Sequence, residues 1–170
     1  LKTPEVFEGK GWEVDAKIPL VSDTGSSGYG GMRPKRWDFT GHEYGAVYDG
    51  PVYQLAKGPN DVIEVRADLH DVDAGSDMSL VVELKRGDNT HFYRAAQMAD
   101  ALRMNDGTVL IAAVKLADIP GHGDGLRLRT YLYNPARKRA LVSALAVRVR
   151  QGDPVLYGLF EPIRGKWEYR

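Results

Sequence analysis

A period of two over Val62 to Leu69 constrains this chain more than any other feature. Ile63, Val65, Ala67 and Leu69 alternate there with Glu64, Arg66 and Asp68, so an extended segment has one apolar and one polar face. A helix would scatter the same residues around its circumference. Leu126 to Tyr133 repeats the pattern, with Leu126, Leu128 and Leu132 on one side and Arg127, Arg129, Tyr131 and Tyr133 on the other; Thr130 interrupts the apolar row. Further apolar runs cover His42 to Tyr48, Val52 to Leu55, Met78 to Lys85, His91 to Arg94, Thr108 to Leu116 and Leu141 to Val149. Turn sequences separate them: DVDAGSD at Asp71 to Asp77, RGDN at Arg86 to Asn89, NDG at Asn105 to Gly107, PGHGDG at Pro120 to Gly125, and Asn134-Pro135.

These runs predict an all-β fold: a two-sheet β-sandwich of jelly-roll type with about eight strands, in one domain over 1–170. The predicted inward rows are Ile63/Val65/Ala67/Leu69, Met78/Leu80/Val82/Leu84 and Leu126/Leu128/Leu132, with the core completed by the apolar run from Leu141. The polar face of Val62 to Leu69 is predicted to be wet. Glycine, serine and proline crowd Val21 to Lys35 (VSDTGSSGYGGMRPK), which reads as a long loop over 20–42 within an irregular first 43 residues. Arg94 to Met104 has room for one short helical turn, and 151–170 is a C-terminal extension beyond the last run.

Charge and cysteine content exclude several classes of function. Lys plus Arg and Asp plus Glu both total 23, so no net charge draws the whole chain to nucleic acid or an anionic membrane. No apolar run approaches the roughly 20 residues that span a bilayer. With no cysteine there is no thiolate nucleophile and no Cys-ligated metal. The local distribution is nonetheless polarised. Asp61 to Glu83 holds seven acidic residues and one basic, whereas Arg127 to Arg150 holds seven basic and none acidic. Cross-strand pairing between the two regions accounts for this; an anion-facing surface is the functional alternative.

Phe7-Glu8-Gly9, Trp12, a Gly/Ser-rich loop, Glu43-Tyr44, LVVEL at Leu80 to Leu84, LRTYLYN at Leu128 to Asn134, and Leu141 to Arg148 follow one another in a particular order. That order resembles carbohydrate-binding-module-like jelly rolls of the galactose-binding-domain-like type, common accessory domains of exported bacterial proteins. The resemblance implies glycan or polysaccharide binding without catalysis, and an extracytoplasmic setting within a larger surface or envelope polypeptide. The start at Leu1 fits a processed chain or excised domain. The resemblance also implies a structural calcium ligated by an early glutamate, here Glu8, and by an acid in the final strand. That strand reads LVSALAVRVR, with Ser143 and Ala144 at the expected place.

Two groups of residues are candidates for chemistry. Asp71, Asp73 and Asp77 around Gly75 offer oxygen ligands suited to calcium, although the same residues are the ordinary chemistry of a strand connection. Arg127, Arg129, Tyr131 and Tyr133, joined by His91 and Tyr93, offer flat aromatic faces for sugar rings and charged forks for hydroxyls or carboxylates. The plain alternative is that Arg and Tyr simply suit an exposed sheet face. Jelly rolls also host polysaccharide lyases, for which Tyr93, His91, Arg127 and Tyr131 would be the acting residues, and hydrolases, whose carboxylate pairs are recognised by distance rather than by sequence; a ligand-free spacer is the third reading. No G-x-S-x-G, H-E-x-x-H or P-loop string is present, and the four histidines are scattered one per segment.

Overall fold

A computed structural model describes residues 11–22, 35–56, 58, 60–104, 107–119 and 125–150. They form eleven strands: β1 (Trp12–Val14), β2 (Leu20–Ser22), β3 (Lys35–Asp38), β4 (Ala46–Pro51), β5 (Val62–His70), β6 (Ser79–Arg86), β7 (Asn89–Gln97), β8 (Leu102–Met104), β9 (Gly107–Lys115), β10 (Leu126–Tyr133) and β11 (Leu141–Arg150). Five of them pair in the order β1-β4-β10-β6-β7, and six in the order β2-β3-β11-β5-β9-β8. Every pairing is antiparallel. The chain passes repeatedly between the sheets, as from β4 to β5 to β6 and from β9 to β10 to β11, which gives the jelly-roll sandwich.

The alternating rows fill the space between the sheets. Ile63, Val65, Ala67 and Leu69 of β5, Leu80, Val82 and Leu84 of β6, and Leu128 and Leu132 of β10 have no exposed surface, nor has Met78 just before β6. Each large side chain so buried contributes about 1.5–3 kcal/mol of transfer free energy. Thr130 lies in the same inner row, where its hydroxyl donates to the Val81 carbonyl at 2.7 Å and so enters the core satisfied. Val142 and Leu145 of β11 complete the core.

Several expectations need correction. Eleven strands replace about eight, and β1, β2 and β3 occupy the stretch expected to be irregular. With β8 they are three or four residues long, too short for a period to register. Val52 to Leu55, expected as a strand, is a 3₁₀ turn over Val52–Gln54 closed by Leu55 N–H to Val52 O at 2.9 Å. The helical turn within Arg94 to Met104 is likewise 3₁₀, over Met98–Asp100. The polar face of β5 is only partly wet, since Arg66 and Asp68 keep 30% and 26% of their side-chain surface exposed while Glu64 does not. β5 lies between β11 and β9 inside the six-stranded sheet, and Glu64 is 7% exposed. Arg148 and Arg150 grip that carboxylate at 2.6 and 3.1 Å, and Arg66 pairs with Asp68 at 2.6 Å. The separation of acidic and basic regions along the chain becomes cross-strand pairing in the sheet.

Candidate functional site

Because side chains alternate along a strand, burying Leu126, Leu128 and Leu132 obliges Arg127, Arg129, Tyr131 and Tyr133 to leave the sandwich on the outer face of the five-stranded sheet. The register sets their neighbours. Arg129 lies between Asp49 of β4 and Glu83 of β6, Tyr131 between Val47 and Val81, and Tyr133 beside Ser79. On the next strand Tyr93 faces Glu83, and Ala95 faces Val81. Val81 points outward in this row yet is 1% exposed, so the face above it is covered.

Tyr44 comes from outside the strands. It belongs to an arm that runs from Phe39 to Gly45 before β4, and it is 55% exposed. Its ring stacks on Tyr133 with centroids 5.0 Å apart and planes 23° apart, and meets Tyr131 tilted at 6.1 Å. Arg129 reaches over the Tyr131 ring, 5.9 Å from its centroid. Together Tyr44, Tyr131 and Tyr133 make a ridge of three rings.

The rings of the ridge line two hollows. The larger is an open cleft of ≈ 740 Å³, walled by Tyr44 and Tyr131 and lined by Glu13, Asp15, Glu83, Lys85 and Arg129. The smaller, of ≈ 430 Å³, lies between Tyr133 and Tyr93 and offers Asp77, Ser79 and Gln97. Burial first, then the Glu83 carboxylate, pushes the Tyr131 phenol up to about 12. Tyr44 is raised as well, by desolvation and by the closeness of Tyr133 and Glu43. Both phenols therefore remain neutral hydrogen-bonding groups at ordinary pH.

The structure divides the residues singled out from the sequence. Arg129 and Tyr131 line the cleft, and Tyr133 and Tyr93 line the second hollow. Arg127 lines neither and pairs instead with Asp49 at 2.9 Å. His91 lines neither, because it falls at the irregularity where β7 loses register with β6 between Leu84 and Lys85; its side chain is exposed. Of the four residues proposed for lyase chemistry, Tyr131 thus lines the cleft, Tyr93 the second hollow, and His91 and Arg127 neither. Sequence reasoning missed Tyr44, Glu13, Asp15, Glu83 and Lys85. Glu83 and Lys85 had a signal, since they alternate with the inward Val82 and Leu84. Tyr44 fell inside the run His42 to Tyr48, read as a strand, but the strand begins only at Ala46, and that run gave no sign that the Tyr44 ring meets Tyr133.

The aspartates after β5 each take a partner from the protein. Asp71 lies 3.6 Å from Arg139, Asp73 accepts the Gly75 N–H at 2.9 Å, and Asp77 accepts the Ala136 N–H at 3.3 Å. Lys138 Nζ donates to Gly75 O at 2.8 Å, placing a cation in the same turn. Among the described residues no three acidic or histidine side chains gather in a group able to hold a metal. Glu8, His122 and the 151–170 extension lie outside the described residues. Among the described residues no helix is long and apolar enough to cross a membrane.

No family model matches the chain, and no curated protein does. Solved structures to which it is similar include the CBM22-1 xylan-binding domain of Paenibacillus barcinonensis Xyn10C, at 18% identity and a TM-score of 0.49 over 88% of this chain and 91% of that one. Another is a carbohydrate-binding module specific for non-crystalline cellulose, CBM28, at 15% identity and a TM-score of 0.49 over 85% and 92%. The enzymatically active domain of bacteriophage CBA120 tailspike protein 4 is similar at 5% identity, with a TM-score of 0.48 over 82% of this chain and 19% of that one.

Proposed function

We propose that this chain is a non-catalytic glycan-binding domain and that its ligand, an uncharged polysaccharide, lies on the outer face of the five-stranded sheet. The observation that carries the reading is the ridge of Tyr44, Tyr131 and Tyr133 beside a cleft of ≈ 740 Å³. Aromatic faces pack against the C–H faces of sugar rings, while phenols, carboxylates and cations at the rim bond hydroxyls. The cleft volume falls in the range usual for small-molecule sites. Its charges nearly cancel, with Glu13, Asp15 and Glu83 set against Lys85 and Arg129. That balance offers a polyanion no attraction. The basic residues late in the chain do not alter it, since Arg127, Arg137, Arg139, Arg148 and Arg150 are paired with Asp49, Glu43, Asp71 and Glu64.

The separation of His91 and Arg127 from the cleft supports binding over lyase chemistry. An extracytoplasmic setting follows if that polysaccharide is one of the cell wall or the surroundings, and attachment to a larger polypeptide suits an accessory domain. An array of neutral and acidic glycans, followed by incubation of each hit with the protein, tests the reading. The expected result is retention of neutral chains with no new reducing or unsaturated ends. New ends would make the protein an enzyme, and silence across the array would leave a structural spacer.

A further inference from the structure

The ridge depends on a segment that has no strand of its own. Pairing between β4 and β10 extends only as far as Val47 with Tyr131. Beyond that point, Tyr44 is held against Tyr133 by the way the Phe39–Gly45 arm meets the turn between β10 and β11. That contact centres on Asn134, which has no exposed surface. Its backbone N–H donates to Glu43 O at 2.8 Å, directly before Tyr44. Its side-chain amide donates to Lys138 O at 3.0 Å and to Phe39 O at 3.3 Å, so one NH₂ group ties both sides of the junction together. The surrounding bonds follow the same seam: Phe39 N–H to Ala140 O at 2.9 Å and Gly41 N–H to Arg137 O at 3.0 Å. The turn closes with Arg137 N–H to Asn134 O at 3.0 Å, with Arg137 in the left-handed region at φ 54°.

Asn134 Oδ1 is buried and has no hydrogen-bond partner, whereas the NH₂ group is used twice. What the side chain supplies to the junction is therefore its two donors. Aspartate would set a carboxylate against two carbonyl oxygens, and leucine would strip both carbonyls of a donor. We propose that Asn134 is a positioning residue for the binding face: its amide latches the Phe39–Gly45 arm to the turn after β10 and thereby holds Tyr44 on Tyr133. Its consequence for affinity rests on the glycan-binding reading; its effect on the ring stack does not.

The test labels the protein with 3-fluorotyrosine and follows the fluorine resonances, assigned through Tyr44→Phe and Tyr133→Phe. In Asn134→Ala the Tyr44 and Tyr133 resonances move toward the position of the free amino acid, while that of Tyr53, exposed on the turn after β4, stays in place. Unchanged Tyr44 and Tyr133 resonances in the folded variant overturn the proposal. If Asn134→Ala does not fold, Asn134→Ser, small, neutral and unable to reach both carbonyls at once, is read by the same criterion. Binding supplies a second readout on a glycan that the wild type retains. Asn134→Ala weakens it about tenfold, the effect of losing one stacked ring, and Tyr44→Ala/Asn134→Ala binds no worse than Tyr44→Ala alone. Additive losses would mean that Asn134 does not act through Tyr44 and would overturn the proposal. If the wild type retains no glycan, the binding reading falls and the fluorine spectra still decide on the latch.

Discussion

Tyr131 shows how one residue comes to serve the surface rather than the core. Its neighbours Thr130 and Leu132 point inward, so its ring must rise from the sheet between Val47 and Val81. Folding moves its phenol from 10.0 to about 12, so the native state keeps a proton that the unfolded chain releases. The stability this confers is whole below pH 10 and is lost as the pH rises toward 12. Tyr131→Phe, which has no phenol to ionise, should therefore shift the alkaline unfolding transition to higher pH, as followed by circular dichroism; an unmoved transition would count against the raised phenol. On a retained glycan, Tyr131→Ala and Tyr133→Ala should each weaken binding by about 1–3 kcal/mol, by analogy with aromatic stacking on nucleobases. Isothermal titration reads this directly, and unchanged affinity in both variants would remove the ridge from the site. Tyr131, Tyr133 and Arg129 were legible from alternation alone. Tyr44 was not, since its place depends on a turn some 90 residues further along the chain.

At the scale of elements, β5 illustrates what alternation leaves undecided. Ile63, Val65, Ala67 and Leu69 had to face a core, but whether Glu64 faced water depended on what lay on either side. β11 and β9 flank β5, so the carboxylate is largely enclosed and Arg148 and Arg150 converge on it. Glu64→Gln leaves two neighbouring cations without their shared counter-charge. It should lower stability by about 1–3 kcal/mol, less than for a wholly buried pair because both arginines keep part of their surface in water. Chemical denaturation measures this, and a neutral result would show that solvent screens the trio. The short strands β1, β2, β3 and β8 form a different case. Three or four residues carry no usable period; β1, β3 and β8 become strands against the longer β4, β11 and β9, and β2 then adds to the edge of β3.

For the molecule as a whole, the near cancellation of charge in the cleft predicts a ligand held by stacking and hydrogen bonds rather than by long-range attraction. Affinity for a neutral glycan should change by less than about threefold between low salt and several times physiological ionic strength, as measured by titration. A steep loss with salt would instead indicate a charged ligand. The sequence by itself determined the all-β class, the three inward rows and the Arg/Tyr outer row of β10, because the period of a strand's side chains is a local property of its backbone. It also held the pairing of acidic and basic regions as an expectation that β5 and β11 fulfilled. Only the tertiary structure decided which face of which sheet presents a cleft, that His91 and Arg127 stand apart from it, and that Tyr44 completes the ridge. Those outcomes depend on strand order, on a register shift in β7 and on a latch between distant loops, and each joins residues whose separation along the chain carries no period to read.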